Sequence, residues 1–134
     1  MLEWRNGENT DSFIWYHRFL SIQKIISEYN DLTSEDWSLW NNNWIPLFEF
    51  QGEWYGVECN ESQTVASPIV HYFVEDEPVV AYSSLTSYMK TIAKALKEKV
   101  IWWEEGSWDS DVNRLIDIYN EFNSGTSFPY RVVD

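Results

Sequence analysis

Apolar residues recur at helical spacing in three stretches of this chain and fall into short extended runs, several of them aromatic-rich, in five others, with polar, Gly- or Pro-bearing segments between most of them. Ile22, Ile25, Ile26 and Tyr29 predict a short amphipathic helix over Ser21 to Leu32, with Ser21 as its N-cap. Just ahead of it, Phe13 to Leu20 reads as a strand or an extended entry into the helix. Asp31 to Asn43 turns polar and predicts a loop, one that must also house Trp37 and Trp40. The period then shortens. Trp44 to Gln51 and Glu53 to Asn60 are parted by Gly52, the arrangement of a hairpin, and Pro46 favours a strand start or an edge. Ile69 to Val74 and Val79 to Tyr82 form a second pair around Glu75-Asp76-Glu77-Pro78, a solvated turn, and Asn60 to Thr64 links the two hairpins. Behind a cap at Ser83 or Ser84, the stripe Leu85, Tyr88, Met89, Ile92 and Leu96 predicts a helix. Val112, Leu115, Ile116, Tyr119 and Phe122 predict another within Asp109 to Asn123, stopping at Asn123-Ser124-Gly125. Ile101 to Trp108 reads as an aromatic, acidic connector between them. Strands in the middle and helices at both ends predict a single α+β domain, a central antiparallel sheet of about four to six strands with flanking helices.

Length and composition sharpen this. At 134 residues and 44% apolar content the chain can build one core without disulfides or metal. Cys59 is the only cysteine, so a reducing, cytoplasmic setting is expected. No stretch reaches the ~18 apolar residues of a membrane span, and Met1 to Leu20 carries Glu3, Glu8 and Asp11 where a targeting segment would be basic and then apolar. Twenty-two acidic residues against nine basic ones leave a net charge of −13, which repels phosphate backbones and anionic membranes alike. Neither nucleic acid nor membrane is therefore an expected partner. The distribution says more than the total. From Ile25 to Met89 there is no Lys or Arg, while acids run from Glu28 to Glu77. A block of one sign suits a cationic protein partner; the plainer reading is acidity for solubility. Positive charge returns at Lys90, Lys94 and Lys97, which share one helical face, the solvated side of that helix, and at Lys99.

Conventional catalytic and metal signatures are mostly absent. There is no Gly-rich phosphate loop or nucleophile elbow among five Gly, and His17, Cys59 and His71 lie too far apart in sequence for a zinc pattern. No cofactor or metal is expected. Glu49, Glu53 and Glu58 near Trp54 do have the residue types of a sugar site, paired acids beside a stacking indole. Strand alternation places Trp54, Gly56 and Glu58 on one face, joined by Glu49, and Tyr55, Val57 and Cys59 on the core face with Phe48 and Phe50. Trp54 and Glu58 would then face outward, either to bind or simply as an acidic solvent face. Trp102, Trp103 and Trp108 among Glu104, Glu105, Asp109 and Asp111 form a second cluster suited to Arg and Lys side chains. The competing reading is that these indoles pin the last helix to the body.

The order Leu2-Glu3-Trp4-Arg5-Asn6-Gly7, Phe19-Leu20-Ser21, Trp44-Ile45-Pro46, Gly52-Glu53-Trp54-Tyr55-Gly56-Val57-Glu58 and Ala81-Tyr82-Ser83-Ser84-Leu85 resembles the SUKH superfamily over about the first hundred residues. The resemblance implies an α+β domain with a central antiparallel sheet. Bacterial members are chiefly immunity proteins that bind and neutralise polymorphic toxins, often nucleases, and fungal relatives regulate cell-wall assembly through protein contacts. It makes Trp44 and Pro46 the family landmark, sets Trp54 and Tyr55 in the aromatic strand, and places Glu58 where an Asp is common. The chain departs from the family in lacking a helix before the Asn-Gly turn and in a C-terminal helical extension from about residue 101. Either Met1 is a shortened start, or the C-terminal helix or a second copy covers the surface left bare, so monomer and homodimer both stay open.

These readings converge on a non-enzymatic protein-binding domain of the immunity type. It would neutralise a basic toxin, a nuclease among the candidates, through Trp54, Glu58, Glu49 and Glu53 and through Trp103, Glu104 and Glu105. A regulatory scaffold and a carbohydrate-binding or hydrolysing domain are the alternatives.

Overall fold

A computed structural model of the chain describes residues 18–59 and 66–129. The Leu2 to Gly7 part of the resemblance, most of the Phe13 to Leu20 entry and the Asn60 to Thr64 link lie outside these described residues.

Strand β1 (Arg18–Phe19) is short and leads directly into helix α1 (Ile22–Ser34). Ser21 caps that helix, its hydroxyl accepting from the Lys24 N–H at 3.2 Å. The helix ends where Glu35 turns extended and donates its own N–H to the Asp31 carbonyl. Four strands follow, β2 (Trp44–Phe50), β3 (Glu53–Glu58), β4 (Ile69–Phe73) and β5 (Val79–Tyr82). All pair antiparallel in the order β1-β2-β3-β4-β5. The β2–β3 turn uses Gln51 at φ 42° and Gly52 at φ 85°, the left-handed pair that closes a tight hairpin with the strands' own twist. Helix α2 (Leu85–Lys97) is capped by Ser84, whose Oγ accepts from the Ser87 N–H at 3.0 Å.

The predicted connector at Ile101 to Trp108 is instead a third hairpin and a sheet of its own, β6 (Ile101–Glu104) and β7 (Ser107–Ser110), turning at Glu105 (φ 48°) and Gly106 (φ 84°). Consecutive positive-φ residues make this the same kind of turn, and Trp103 pairs with Trp108 across it. The C-terminal extension is therefore helical only from α3 (Val112–Phe122), with Asp111 rather than Asp109 at its start, accepting from the Arg114 N–H.

Both faces of the sheet are covered. On one, Phe48, Tyr55, Ile69 and Tyr82 pack against Tyr88 and Ile92 of α2 and Leu115 and Tyr119 of α3, the main core. On the other, Trp54 and Tyr72 lie under Leu32 of α1 and Trp40 of the following loop, with Trp44 at the margin. A register shift between Pro46 and Phe48 keeps the alternation of β2 in step with β3 on either side of it. Two buried groups tie α3 to the rest. Tyr119 donates its hydroxyl to the Ala81 carbonyl of β5. The Asn123 amide donates to Thr91 Oγ1 of α2 at 2.8 Å and accepts from the Ser83 N–H at 3.3 Å.

Neither of the first two helices buries its whole apolar stripe. In α1, Leu32 is buried and Ile25 and Tyr29 half-buried, but Ile22 and Ile26 are exposed. In α2, Tyr88 and Ile92 are buried together with Thr91 and Ala95, and Leu85, Met89 and Leu96 are left exposed. Packing against α3 rotates the buried face of α2 toward Thr91, which the apolar pattern alone does not register.

Candidate partner-binding face

Trp54 does not face solvent as alternation suggested. It lies on the face opposite the main core, as expected, but that face is roofed and the residue is only 8% exposed. Its indole N–H donates to Glu28 Oε2 of α1 at 3.3 Å, which holds the carboxylate over the sheet. Tyr72 lies alongside at 5.9 Å and 21°, and Trp37 stacks at 6.4 Å and 29°. The exposed member of this series is Trp37, at 49%. Leu39, two residues on, is 51% exposed, and its N–H donates to the Tyr72 hydroxyl at 3.2 Å. The Trp37–Leu39 segment is thus fastened to the sheet at both ends while presenting large apolar side chains to water. Glu35 and Asp36 precede it, exposed, and Asp31 is exposed one helical turn from Glu28. The result is an indole knob on an aromatic base within a carboxylate border.

The other residues expected around Trp54 divide. Glu49 sits beside it in register, half-buried. Glu58 sits opposite Trp44, also half-buried, and the Trp40 ring covers Gly56 between Trp54 and Glu58. Glu53 belongs to the opposite face, where its carboxylate meets His71 Nε2 at 2.6 Å. The three carboxylates therefore do not converge on one indole, and the paired-acid arrangement of a sugar site is not assembled from them. Trp44, Pro46 and Tyr55, the landmark of the family resemblance, occupy structural positions: Pro46 and Tyr55 are buried, and the Trp44 carbonyl accepts the Trp40 indole N–H at 3.0 Å.

The second expected cluster is split by the β6–β7 hairpin. Trp108 is half-buried against the main core, and Trp102 is half-buried with its N–H donated to Glu104 Oε2 at 3.1 Å. Trp103 packs edge-on to Trp108 at 5.5 Å yet stays 53% exposed, with Glu104 and Glu105 exposed beside it at the turn. Trp108 thus packs inward while Trp103 stays outward.

A third feature was not visible in the sequence. A cleft of about 730 Å³ opens where Glu53 and His71 approach the Glu75–Glu77 turn, walled by Val112 and Leu115 of α3 and by Phe128. Its walls come from segments more than 50 residues apart, so only the fold assembles it. Among the described residues, no group of three or more His, Cys, Asp or Glu side chains is placed to hold a metal ion, and no helix is long and apolar enough to cross a membrane.

The signal that could have singled out Trp37 was its setting. It is the aromatic that sits directly after Glu35-Asp36 in a polar loop. Compared with known proteins, the sequence matches no family model, and no match is found among the curated proteins.

Proposed function

We propose that this chain is a protein-binding domain of the immunity type, which neutralises a cationic toxin by laying the acidic, indole-bearing surface around Trp37 over the toxin's basic working face. The observation that carries this reading is the exposed Trp37 stacked on buried Trp54 inside the stretch from Ile25 to Met89 that has no Lys or Arg. An indole already held by a stacked neighbour loses little freedom when a partner covers it, so its apolar contact and its attraction for a guanidinium are retained in the binding free energy. The carboxylates around it act earlier. They steer encounter with a positively charged surface and reject anionic ones. Trp103 with Glu104 and Glu105 offers a smaller contact of the same chemistry.

A nuclease suits this surface because its substrate groove is cationic in order to hold phosphates, and an acidic protein that fills the groove competes directly with the nucleic acid. The resemblance to the SUKH superfamily supports the same reading, and no bond-making step is required of any residue described above. The roles first assigned to the strand residues change accordingly. Trp54 becomes the base that orders Trp37, and Glu49 lies beside that base.

The test is affinity capture with the tagged full chain, followed by assay of the retained protein for toxicity and for protection by this chain. A basic protein should be retained at low salt, released as salt rises, and neutralised on complex formation; the Trp37→Ala variant should retain much less of it. Retention only of non-toxic cellular proteins would favour the regulatory scaffold, and retention indifferent to both salt and Trp37→Ala would overturn the proposal.

A further inference from the structure

Helix α2 carries a second surface of opposite character. Leu85, Met89 and Leu96 are 42%, 42% and 43% exposed, and their spacing of i, i+4 and i+11 aligns them in one strip along the helix, with exposed Ala93 at its side. The helix turns its other side to α3, where Thr91 bonds Asn123 and Lys94 pairs with Glu121 at 2.6 Å. Lys90 and Lys97 run along the margin of the strip, a helical repeat of two turns apart, and neither has an ion pair among the described residues. In a chain of net charge −13 this is an apolar ridge with a cationic border.

From this juxtaposition we infer that the outer face of α2 docks an amphipathic helix of another protein, one whose apolar ridge fills the Leu85–Met89–Leu96 strip and whose margin bears Glu or Asp against Lys90 and Lys97. Charge decides between this occupant and a second copy of the chain. An antiparallel two-fold pairing of two α2 helices brings the same margin of each together, which would set four lysines side by side. A helix with an acidic margin instead neutralises them, while its ridge removes apolar surface from water. This inference does not rest on the toxin-binding reading: it concerns a different helix, the opposite charge and a different partner.

The experiment uses a fluorescein-labelled synthetic amphipathic peptide, with Leu at i, i+4, i+7 and i+11 and Glu along one margin, titrated with the full chain by fluorescence anisotropy. A second peptide has those Glu replaced by Lys. Saturable binding of the Glu peptide is expected, weakened about tenfold or more by Met89→Glu. The double variant Lys90→Glu, Lys97→Glu should reverse the preference toward the Lys peptide. All three positions are exposed, and circular dichroism confirms that each variant keeps its fold. Absence of saturable binding, equal binding of both peptides, or a dimer in sedimentation that Met89→Glu dissociates would each overturn the inference; the last would assign the strip to a second copy.

Discussion

At Gly56 an added Cβ would lie 2.5 Å from Cη2 and 2.7 Å from Cζ2 of Trp40. That ring has no easy way to retreat, because it is buried and its N–H is held by the Trp44 carbonyl at 3.0 Å. Glycine is needed here for close approach and not for an unusual backbone angle. Gly56→Ala is therefore expected to destabilise the fold by about 1–3 kcal/mol, the usual cost of overpacking a fixed core, read as a lower urea midpoint at unchanged slope. Tyr88 makes a different demand. Burial pushes its phenol well above the ordinary value of 10.0, and burial raises Tyr119 in the same direction. Below that ordinary value both folded and unfolded chains keep these protons, so neither phenol makes stability depend on pH. Above it the unfolded chain ionises first, and stability falls as pH rises through the folded-state values. Denaturant midpoints measured from about pH 9 to 11.5 should decline, and Tyr88→Phe should flatten the decline. An equally steep fall in that variant would mean other groups control the alkaline limb.

Among the elements, the end of α2 shows how a local motif can stand without its customary residue. Val100 N–H bonds the Ala95 carbonyl and Lys99 N–H bonds the Leu96 carbonyl, with Lys99 at φ 54°. This is the pattern that usually places glycine at the left-handed position. Lys99→Gly should relieve the strain and raise stability by up to about 1 kcal/mol, checked as a rise in melting temperature; a fall would show that the Lys99 side chain contributes more than its backbone costs. The same lack of glycine explains why the sequence marks this helix end poorly. The cap at Ser21, a cap at Ser83 or Ser84, of which Ser84 is the one used, and the first hairpin were legible because the serines and Gly52 suit the conformations they adopt. The β6–β7 hairpin was not, although Glu105-Gly106 turns in the same way as Gln51-Gly52, because three Trp within Ile101 to Trp108 carry no clean alternation of polar and apolar. The outward placement of Trp54 failed for another reason. Alternation assigns a residue to a face of the sheet, and whether that face is roofed depends on where α1 and the Trp37–Trp40 loop return, a long-range fact. Asn123 reads as a helix stop, while its buried bonds to Thr91 and Ser83 appear only in the assembled fold.

At the level of the whole molecule, charge and shape divide the surface into two kinds of ground. Trp37 lies within the unbroken anionic stretch, and four of the nine cations, Lys90, Lys94, Lys97 and Lys99, lie on α2 and its end. In the binding role proposed above, long-range attraction to a basic protein would come from many carboxylates, each contributing little, whereas short-range affinity would concentrate in the indole that the partner covers. Trp54→Ala and Trp37→Ala should separate these roles by their effects on folding. The first empties a buried aromatic site at a cost of about 3–5 kcal/mol, and the second removes a half-exposed side chain with little change in thermal unfolding. Similar losses of melting temperature in both would show Trp37 to be part of the core's support and not a free contact.

The most direct test of the central claim is the dissociation constant of the captured cationic partner for the wild-type chain and for Trp37→Ala, measured at low and high salt. The result expected is a loss of about 30-fold or more on removing the indole, at unchanged melting temperature, with association slowing in both proteins as salt is added. Equal affinity of the two proteins, or association that salt leaves unaltered, would contradict it.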